Sequence, residues 1–466
     1  MKNDWTSLAY PLPDDIRLLK DNGKWDDALE QIDFLLAKKP PKAMQERLLL
    51  EKTILGEQRL EYTIPWEEAI RMMKEELLPS DQTPEEEEEL FFYMRNGNAL
   101  WHYNDGKICF HRRFFRTLMN TRPELVKRWK KAPQSEEDDL DWREKLILTS
   151  TIHEMQEKGY AARKIHARCI LKVEDDAFRP GEKLRVHLPV PAVCQQVKSV
   201  NILNISPKPT YIAPEDHPSR TIYFEEAPTE NHEYSVEFEY INRVDYVKPD
   251  PDQVSEVQPD YHTEEQAPHI LFTPYIRSLV KELTEGETNP LRKARAFYDF
   301  VTTKVDYIFM PAYYILENIP EFAAKNFKGD CGVQALLFIT LCRAAGIPAR
   351  WQSGLCAGPL DIGMHDWAQF YIAPYGWMYA DCSYGGSAYR AGNEERWNHY
   401  FGNLDPYRAI MNSEYQYEFD PPKLENRHDP YDNQIGEAEY EGHGLMGPEF
   451  DGWEELLGIE TVEDDI

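Results

Sequence analysis

The stretch Gly329-Asp330-Cys331-Gly332-Val333-Gln334-Ala335-Leu336-Leu337-Phe338-Ile339-Thr340-Leu341-Cys342-Arg343-Ala344-Ala345-Gly346-Ile347-Pro348-Ala349-Arg350 decides the fold. Asp330 is placed to cap a helix that begins at Cys331. Ala335, Leu336, Phe338, Ile339 and Cys342 give that helix a buried face. Gly346 supplies its C-terminal stop, with Pro348 just beyond. Cys331 then lies in the first turn, where unpaired N–H groups and the helix dipole favour a thiolate. A thiolate is the nucleophilic form, so the position suits covalent catalysis and predicts selective alkylation at mildly acidic pH. Cys342, three turns in on the apolar side, reads as an inert core thiol.

A nucleophilic thiol needs a base. His365-Asp366-Trp367-Ala368-Gln369-Phe370-Tyr371-Ile372 reads as a strand, Pro374-Tyr375-Gly376 as a turn, and Trp377-Met378-Tyr379-Ala380-Asp381 as the returning strand. A hairpin brings the end of the second strand to the start of the first. Positions 365 and 381 share parity, so both side chains point to one face, where Asp381 would orient the His365 ring. Trp367 and Trp377 read as core residues, and Gly385-Gly386 as a turn rather than a phosphate loop.

The order Cys331…His365…Asp381, with GDC before a helix, RAAGIPAR after it, and H-x-W…GW-x-x-x-D, resembles the transglutaminase-like superfamily, bacterial type. The resemblance spans roughly residues 289–385. It implies a papain-like core, a Cys-bearing helix against a sheet bearing His and Asp. It also implies catalytic roles for Cys331 as nucleophile, His365 as base and Asp381 as orienting acid. The expected activity is cysteine-dependent amide-bond chemistry through an acyl-thioester, as a peptidase or amidase. The alternatives are a protein cross-linking transglutaminase, or a non-catalytic protein-binding scaffold with this fold. The expected partner is a protein or peptide substrate. The backbone N–H of Cys331 is one oxyanion donor, and Tyr307, Tyr313, Tyr314 and Asn326 are the candidates for a second.

No cofactor and no metal are expected. Tail acids such as Asp429, Asp432, Glu437 and Glu439 lack the spacing of a calcium loop, and the seven Cys contain no CxxC pair. An odd count of thiols with no secretory signal reads as a reducing, cytoplasmic location. No stretch approaches 18 apolar residues, which excludes a membrane span on sequence grounds.

Outside the core, residues 12 to about 158 read as helical. Trp25-x-x-Ala28-Leu29 recurs as Trp66-x-x-Ala69-Ile70, a weak hint of a repeat in what reads as an ordinary helical bundle. Glu85–Glu89 after Thr83-Pro84 mark a helix start. Eight Lys/Arg lie between Arg112 and Lys131, against one acid, Glu124, and are expected to pair with the acidic run Glu136–Asp141. From about 161 to 248 the period becomes two: Ile165, Ala167, Cys169, Leu171 and Val173 alternate with polar neighbours, as do Val236, Phe238 and Tyr240. A β-sandwich follows from this pattern. Asn289-Pro290 starts a helix with an apolar stripe of Leu291, Ala294, Phe297, Tyr298 and Val301. The segment from Asp420 onward reads as an acidic surface strap with a short helix at Trp453–Leu457.

The expected class is therefore α+β and multidomain. The parts are a helical N-terminal domain (1–158), a β-sandwich (159–250), a linker and lead-in helix (251–288), a catalytic core (289–420) and an acidic tail (421–466). The whole chain of 466 residues carries 82 Asp+Glu against 52 Lys+Arg, a net charge of −30. That balance argues against nucleic-acid and anionic-membrane partners. The segment 289–410 holds 11 basic and 11 acidic residues, so the acidity belongs to the accessory parts and says little about the chemistry at Cys331.

Overall fold

A five-stranded sheet with both faces covered organises the molecule. The computed structural model describes residues 5–79, 86–132 and 139–462. The strands run in the order Phe401–Gly402, Gly376–Ala380, Ile362–Ile372, Ala349–Ala357, Arg408–Asn412, antiparallel throughout. The hairpin expected between 365 and 381 forms with Ala368 opposite Ala380. On one face Ala368, Phe370, Ile372 and Met378 pack on the cysteine helix, Cys331–Ala344. On the other, Leu355, Trp367, Tyr379 and Met411 join the core of a β-sandwich. Two covered faces explain why these strands are buried along most of their length, polar residues included.

Residues Pro290–Lys304 form the stripe-bearing helix, and Asn289 Oδ1 accepts the N–H groups of Leu291 and Arg292. Leu291, Ala294, Phe297, Tyr298 and Val301 are all buried. Gly385 and Gly386 do not form the expected turn. They lie inside the helix Cys382–Arg390, where a Cβ at Gly385 would stand 1.8 Å from Tyr298 Oη. Close helix packing, not a loop conformation, calls for glycine there.

The sandwich has a four-stranded sheet in the order Phe450–Thr461, Tyr160–Val173, Glu233–Asp245, Val197–Ser206. Its partner sheet runs His443–Gly444, Glu437–Tyr440, Leu184–Pro189, Thr221–Glu226, Tyr211–Ile212. The alternating residues Ile165, Ala167, Leu171, Val173, Val236 and Phe238 fill the space between the sheets. The C-terminal segment departs from expectation. It is no surface strap, and Trp453–Leu457 is not helical: it supplies edge strands to both sandwich sheets, with Trp453 opposite Ile170. Its charge misled because its acids are neutralised inside. Glu437 is fully buried against Lys423 Nζ at 2.7 Å and Arg427 Nε at 3.0 Å.

The N-terminal region is not purely helical either. A three-stranded sheet, Ile64–Pro65, Lys107–Phe110 and Trp101–Asn104, stands among the helices. Trp25 and Trp66 each open a helix, but they belong to different hydrophobic clusters, so the recurrence does not build a stacked array. The helix after Thr83-Pro84 begins at Glu86 among the described residues. The basic run also finds other partners. Arg112 meets Glu61, Arg128 meets Glu89, Lys131 meets Glu76 and Arg122 meets Asp306; Glu136, Glu137 and Asp138 of the expected acidic partner lie outside the described residues. Arg113 donates to the Met310 carbonyl, and its guanidinium lies over the Phe309 ring. The helical region is thereby docked onto the loop that precedes the cysteine helix. Among the described residues no helix is long and apolar enough to cross a membrane.

Burial raises the proton affinity of the Glu437 carboxyl, but the Lys423 and Arg427 charges outweigh this and hold its pKa at about 2. Glu437→Gln leaves two buried cations short of charge and should cost about 3–5 kcal/mol near pH 7. The pair's contribution is full above the ordinary carboxyl value of 4.5 and is lost as pH falls towards 2. Urea unfolding of both proteins across that range should show the difference shrinking with acid; a difference constant from pH 7 to 2 contradicts the pairing.

Candidate active site

Cys331 is held by its cap. Asp330 accepts the Val333 N–H at 3.3 Å, the Met310 N–H at 3.2 Å and the Tyr313 hydroxyl at 2.6 Å. Three donors on one buried carboxyl fix the first turn of the helix and therefore the direction of the thiol. The Cys331 Sγ–H donates to Asp366 Oδ2 at 3.3 Å. Asp366 lies on the histidine strand, one residue past His365, and its other oxygen accepts Gln434 Nε2 at 2.7 Å. Gln434 also donates to the His365 carbonyl at 3.1 Å.

His365 and Asp381 do come together, with His365 Nε2 and Asp381 Oδ2 at 2.8 Å. Neighbouring residues of a strand leave its opposite faces. Asp366 is on the cysteine-helix side with Ala368 and Phe370. His365 is on the sandwich side, stacked on Trp367 at 5.8 Å and beside Tyr384 at 5.0 Å. Arg408 extends this second network, donating to Asp381 at 3.1 Å and to Cys356 Sγ at 3.2 Å. The structure thus joins His365 to Asp381 and gives the Cys331 thiol Asp366 as a hydrogen-bond acceptor. The parity count joins 365 to 381, as their hydrogen bond shows.

Cys331 opens on a cavity of about 580 Å³. The loop before the cysteine helix lines it with Tyr307, Phe309 and Tyr313. The helical region contributes Glu57, Glu61, Arg112 and Arg113, and the C-terminal segment contributes Asp429, Asp432 and Gln434. Neither remote contribution was legible as a site in the sequence. Gln434 has no motif, and Asp429 and Asp432 were submerged in an acidic tail. Of the four expected oxyanion donors, Asn326 is exposed and donates to Phe322 within its own helix. Tyr313 is engaged by Asp330. Tyr314 is buried against Trp5, and Tyr307 lines the same cavity as Cys331.

The electrostatics correct the thiolate expectation. Burial first, then the Asp366 and Asp330 charges, push the Cys331 thiol well above its ordinary value of 9.0. These outweigh the helix dipole, whose worth is about 0.3–2 kcal/mol. Burial and the neighbouring Asp330 raise Asp366 to about 7, and burial and Asp432 raise Asp429 to about 8. Asp381 goes the other way: against the burial penalty, His365 and then Arg408 hold it at about 2. Among the described residues no group of three or more His, Cys, Asp or Glu is arranged to hold a metal ion.

Residues 277–382 match the family model of the transglutaminase-like superfamily. No curated protein matches the chain. Among solved structures, a candidate cysteine protease from Cytophaga hutchinsonii is 14% identical, with 66% of this chain and 92% of that chain covered and a TM-score of 0.41. The periplasmic domain of TgpA from Pseudomonas aeruginosa is 16% identical, with 53% and 95% covered and a TM-score of 0.28. At such values the likeness says nothing about activity.

A protonated resting thiol has a kinetic signature. Iodoacetamide should modify Cys331 slowly at pH 6, and the rate should still climb beyond pH 9, where an ordinary thiol levels off. Peptide mapping after timed alkylation measures this. A plateau below pH 8 would restore the thiolate reading.

Proposed function

With a transglutaminase-like core in residues 277–382 as the premise, we propose that the protein is a cysteine-dependent enzyme that cleaves amide bonds through an acyl-thioester on Cys331. The observation that carries this reading is the Cys331 thiol, fixed by a capped helix start, opening on a cavity and hydrogen-bonded to a carboxyl group. Sγ attacks the carbonyl carbon while its proton passes to His365, whose Nε2 is held by Asp381 at 2.8 Å and which later protonates the leaving amine. The backbone N–H of Cys331 donates to the developing oxyanion, and Tyr307 is the side chain best supported as the second donor. The amine then departs and water releases the acid.

Transfer to an amine in place of water is the second reading. The specific observation in its favour is Glu57 on the cavity wall: burial and Glu61 raise it to about 6, so it is charged at neutral pH and would attract a protonated amine. A reducing, cytoplasmic location fits the seven free thiols.

Acyl-enzyme trapping tests the reading. Incubation with p-nitrophenyl acetate, followed by peptide mass spectrometry, should find the acetyl group on Cys331. Cys331→Ala should abolish acylation and keep thermal stability within about 1–2 kcal/mol. Acylation undiminished in Cys331→Ala contradicts the assignment. Added primary amine should leave the product unchanged for a hydrolase and divert it to amide for a transferase.

A further inference from the structure

The carboxyl of Asp381 is fully buried, and its two oxygens accept four hydrogen bonds. Oδ1 accepts the Tyr384 N–H at 3.0 Å and the Ser383 hydroxyl at 3.3 Å. Oδ2 accepts His365 Nε2–H at 2.8 Å and Arg408 Nη2–H at 3.1 Å. Of these donors only Arg408 carries a permanent charge. Its guanidinium is also fully buried, and its fork spans a second carboxyl. Nη1 and Nη2 meet the two oxygens of Asp405 at 3.0 and 2.9 Å. The β-sandwich holds the arginine from behind. Tyr240 Oη and Asn242 Nδ2, on the strand Glu233–Asp245, donate to the Arg408 carbonyl at 2.8 and 3.1 Å. Arg408 stands 27 residues past Asp381, beyond the transglutaminase-like stretch 277–382.

We propose that Arg408 is a positioning residue for the Cys331 reaction: it keeps Asp381 an anion that accepts from His365, and the β-sandwich serves the chemistry by holding Arg408 in place. This rests on the reading of Cys331 as nucleophile and His365 as its base. An Nε2–H given to a carboxylate leaves the lone pair of His365 on Nδ1, the nitrogen that takes the thiol proton. A buried carboxyl with no cation beside it takes up a proton of its own. Asp381 would then donate where it must accept, and the proton of the imidazole would sit on the wrong nitrogen. While His365 is neutral, Arg408 is the one cation in contact with Asp381 among the described residues. Arg408 itself neither gains nor loses a proton.

Other groups packed around the pair bear on its titration. Tyr298 on Pro290–Lys304, Cys382 and Tyr384 on Cys382–Arg390, Tyr400, and Cys356 on Ala349–Ala357 are thiols and phenols that burial pushes up, so they are neutral near pH 7. His399, which burial lowers to about 4, is neutral there too and faces Asp405. The remaining ionisable side chains are Arg408, Asp405 and Glu144, the last on the helix Leu140–Lys158 and facing Cys356 and Tyr384. Asp366, beside His365 on the strand, is raised to about 7 by burial and Asp330. Against the burial penalty, His365 and then Arg408 hold Asp381 at about 2. Removing a cation raises the proton affinity of its neighbours, and removing an anion lowers it.

The test compares full-length variants by the pH dependence of Cys331 acetylation with p-nitrophenyl acetate, read by peptide mass spectrometry. Arg408→Gln combined with Asp405→Asn removes the cation and its second carboxyl together, so the net buried charge is unchanged. Acetylation at about pH 7 should fall at least about tenfold, and its acid limb should move up by about one pH unit. Arg408→Lys keeps the charge without the planar fork and should lie between that variant and wild type. Asp405→Asn alone leaves the guanidinium to Asp381, so its limb should move down in pH. A folding defect lowers the rate but does not move the limb in opposite directions. Limbs that coincide in wild type, Asp405→Asn and the double variant overturn the proposal. If the double variant does not fold, a limb that fails to move down in Asp405→Asn overturns it. If wild-type Cys331 is never acetylated, the proposed function fails by itself. The downfield proton resonance of His365 Nε2–H, identified by its absence in His365→Asn, then decides the role of Arg408. It should persist to lower pH in wild type than in the double variant, and equal persistence refutes that role.

Discussion

The five-stranded sheet has no wet face, and most of the architecture follows from that constraint. One face needs the cysteine helix and its neighbours; the other needs the sandwich. Each strand must therefore present apolar groups both ways, and its few polar side chains are forced into buried networks. On the histidine strand the alternation is literal. Asp366 is delivered to the helix side and His365 to the sandwich side, so one dipeptide serves two separate networks. Register is fixed firmly here, since a one-residue slip would put Phe370 and Ala368 among the sandwich residues and Trp367 against the helix.

A carboxyl-rich pocket around a thiol inverts the usual argument from helix position. The dipole at the start of the cysteine helix does favour negative charge. Yet Asp330 has already taken the capping donors, and Asp366 stands on the other side of the sulfur. Adding a thiolate would put a third negative centre in a poorly hydrated space. Burial and these two acids therefore raise the proton affinity of the sulfur above that of an ordinary thiol.

Much of the fold was legible because its signals are local. Asp330 and Gly346 bracket a helix, Asn289-Pro290 starts another, and the alternation at Ile165–Val173 is that of a sheet with one dry face. The 365–381 pairing followed from a turn and a parity count. What escaped was non-local. The thiol partner depends on which face of the strand meets the helix, and that is set by which side the sandwich occupies. Glu437 and Glu439 look like surface acids until Lys423, Arg427 and backbone N–H groups are seen to surround them. The dipeptide Gly385-Gly386 looks like a turn until Tyr298 is placed beside it. In each case the residue type was read through its usual environment, and tertiary packing had supplied another.

The strand Phe450–Thr461 closes the sandwich against Tyr160–Val173, across nearly 300 residues of intervening chain. Without that strand, the Tyr160–Val173 edge of the four-stranded sheet would stand unpaired. Gln434 and Asp432, from the same C-terminal segment, line the cavity on which Cys331 opens, and Gln434 donates to Asp366. Along the chain, the cysteine helix and its sheet are therefore complete before the pocket is. A cavity walled by segments so far apart in sequence takes shape only with the whole tertiary fold, so its opening reports global folding and not the local state of the cysteine helix.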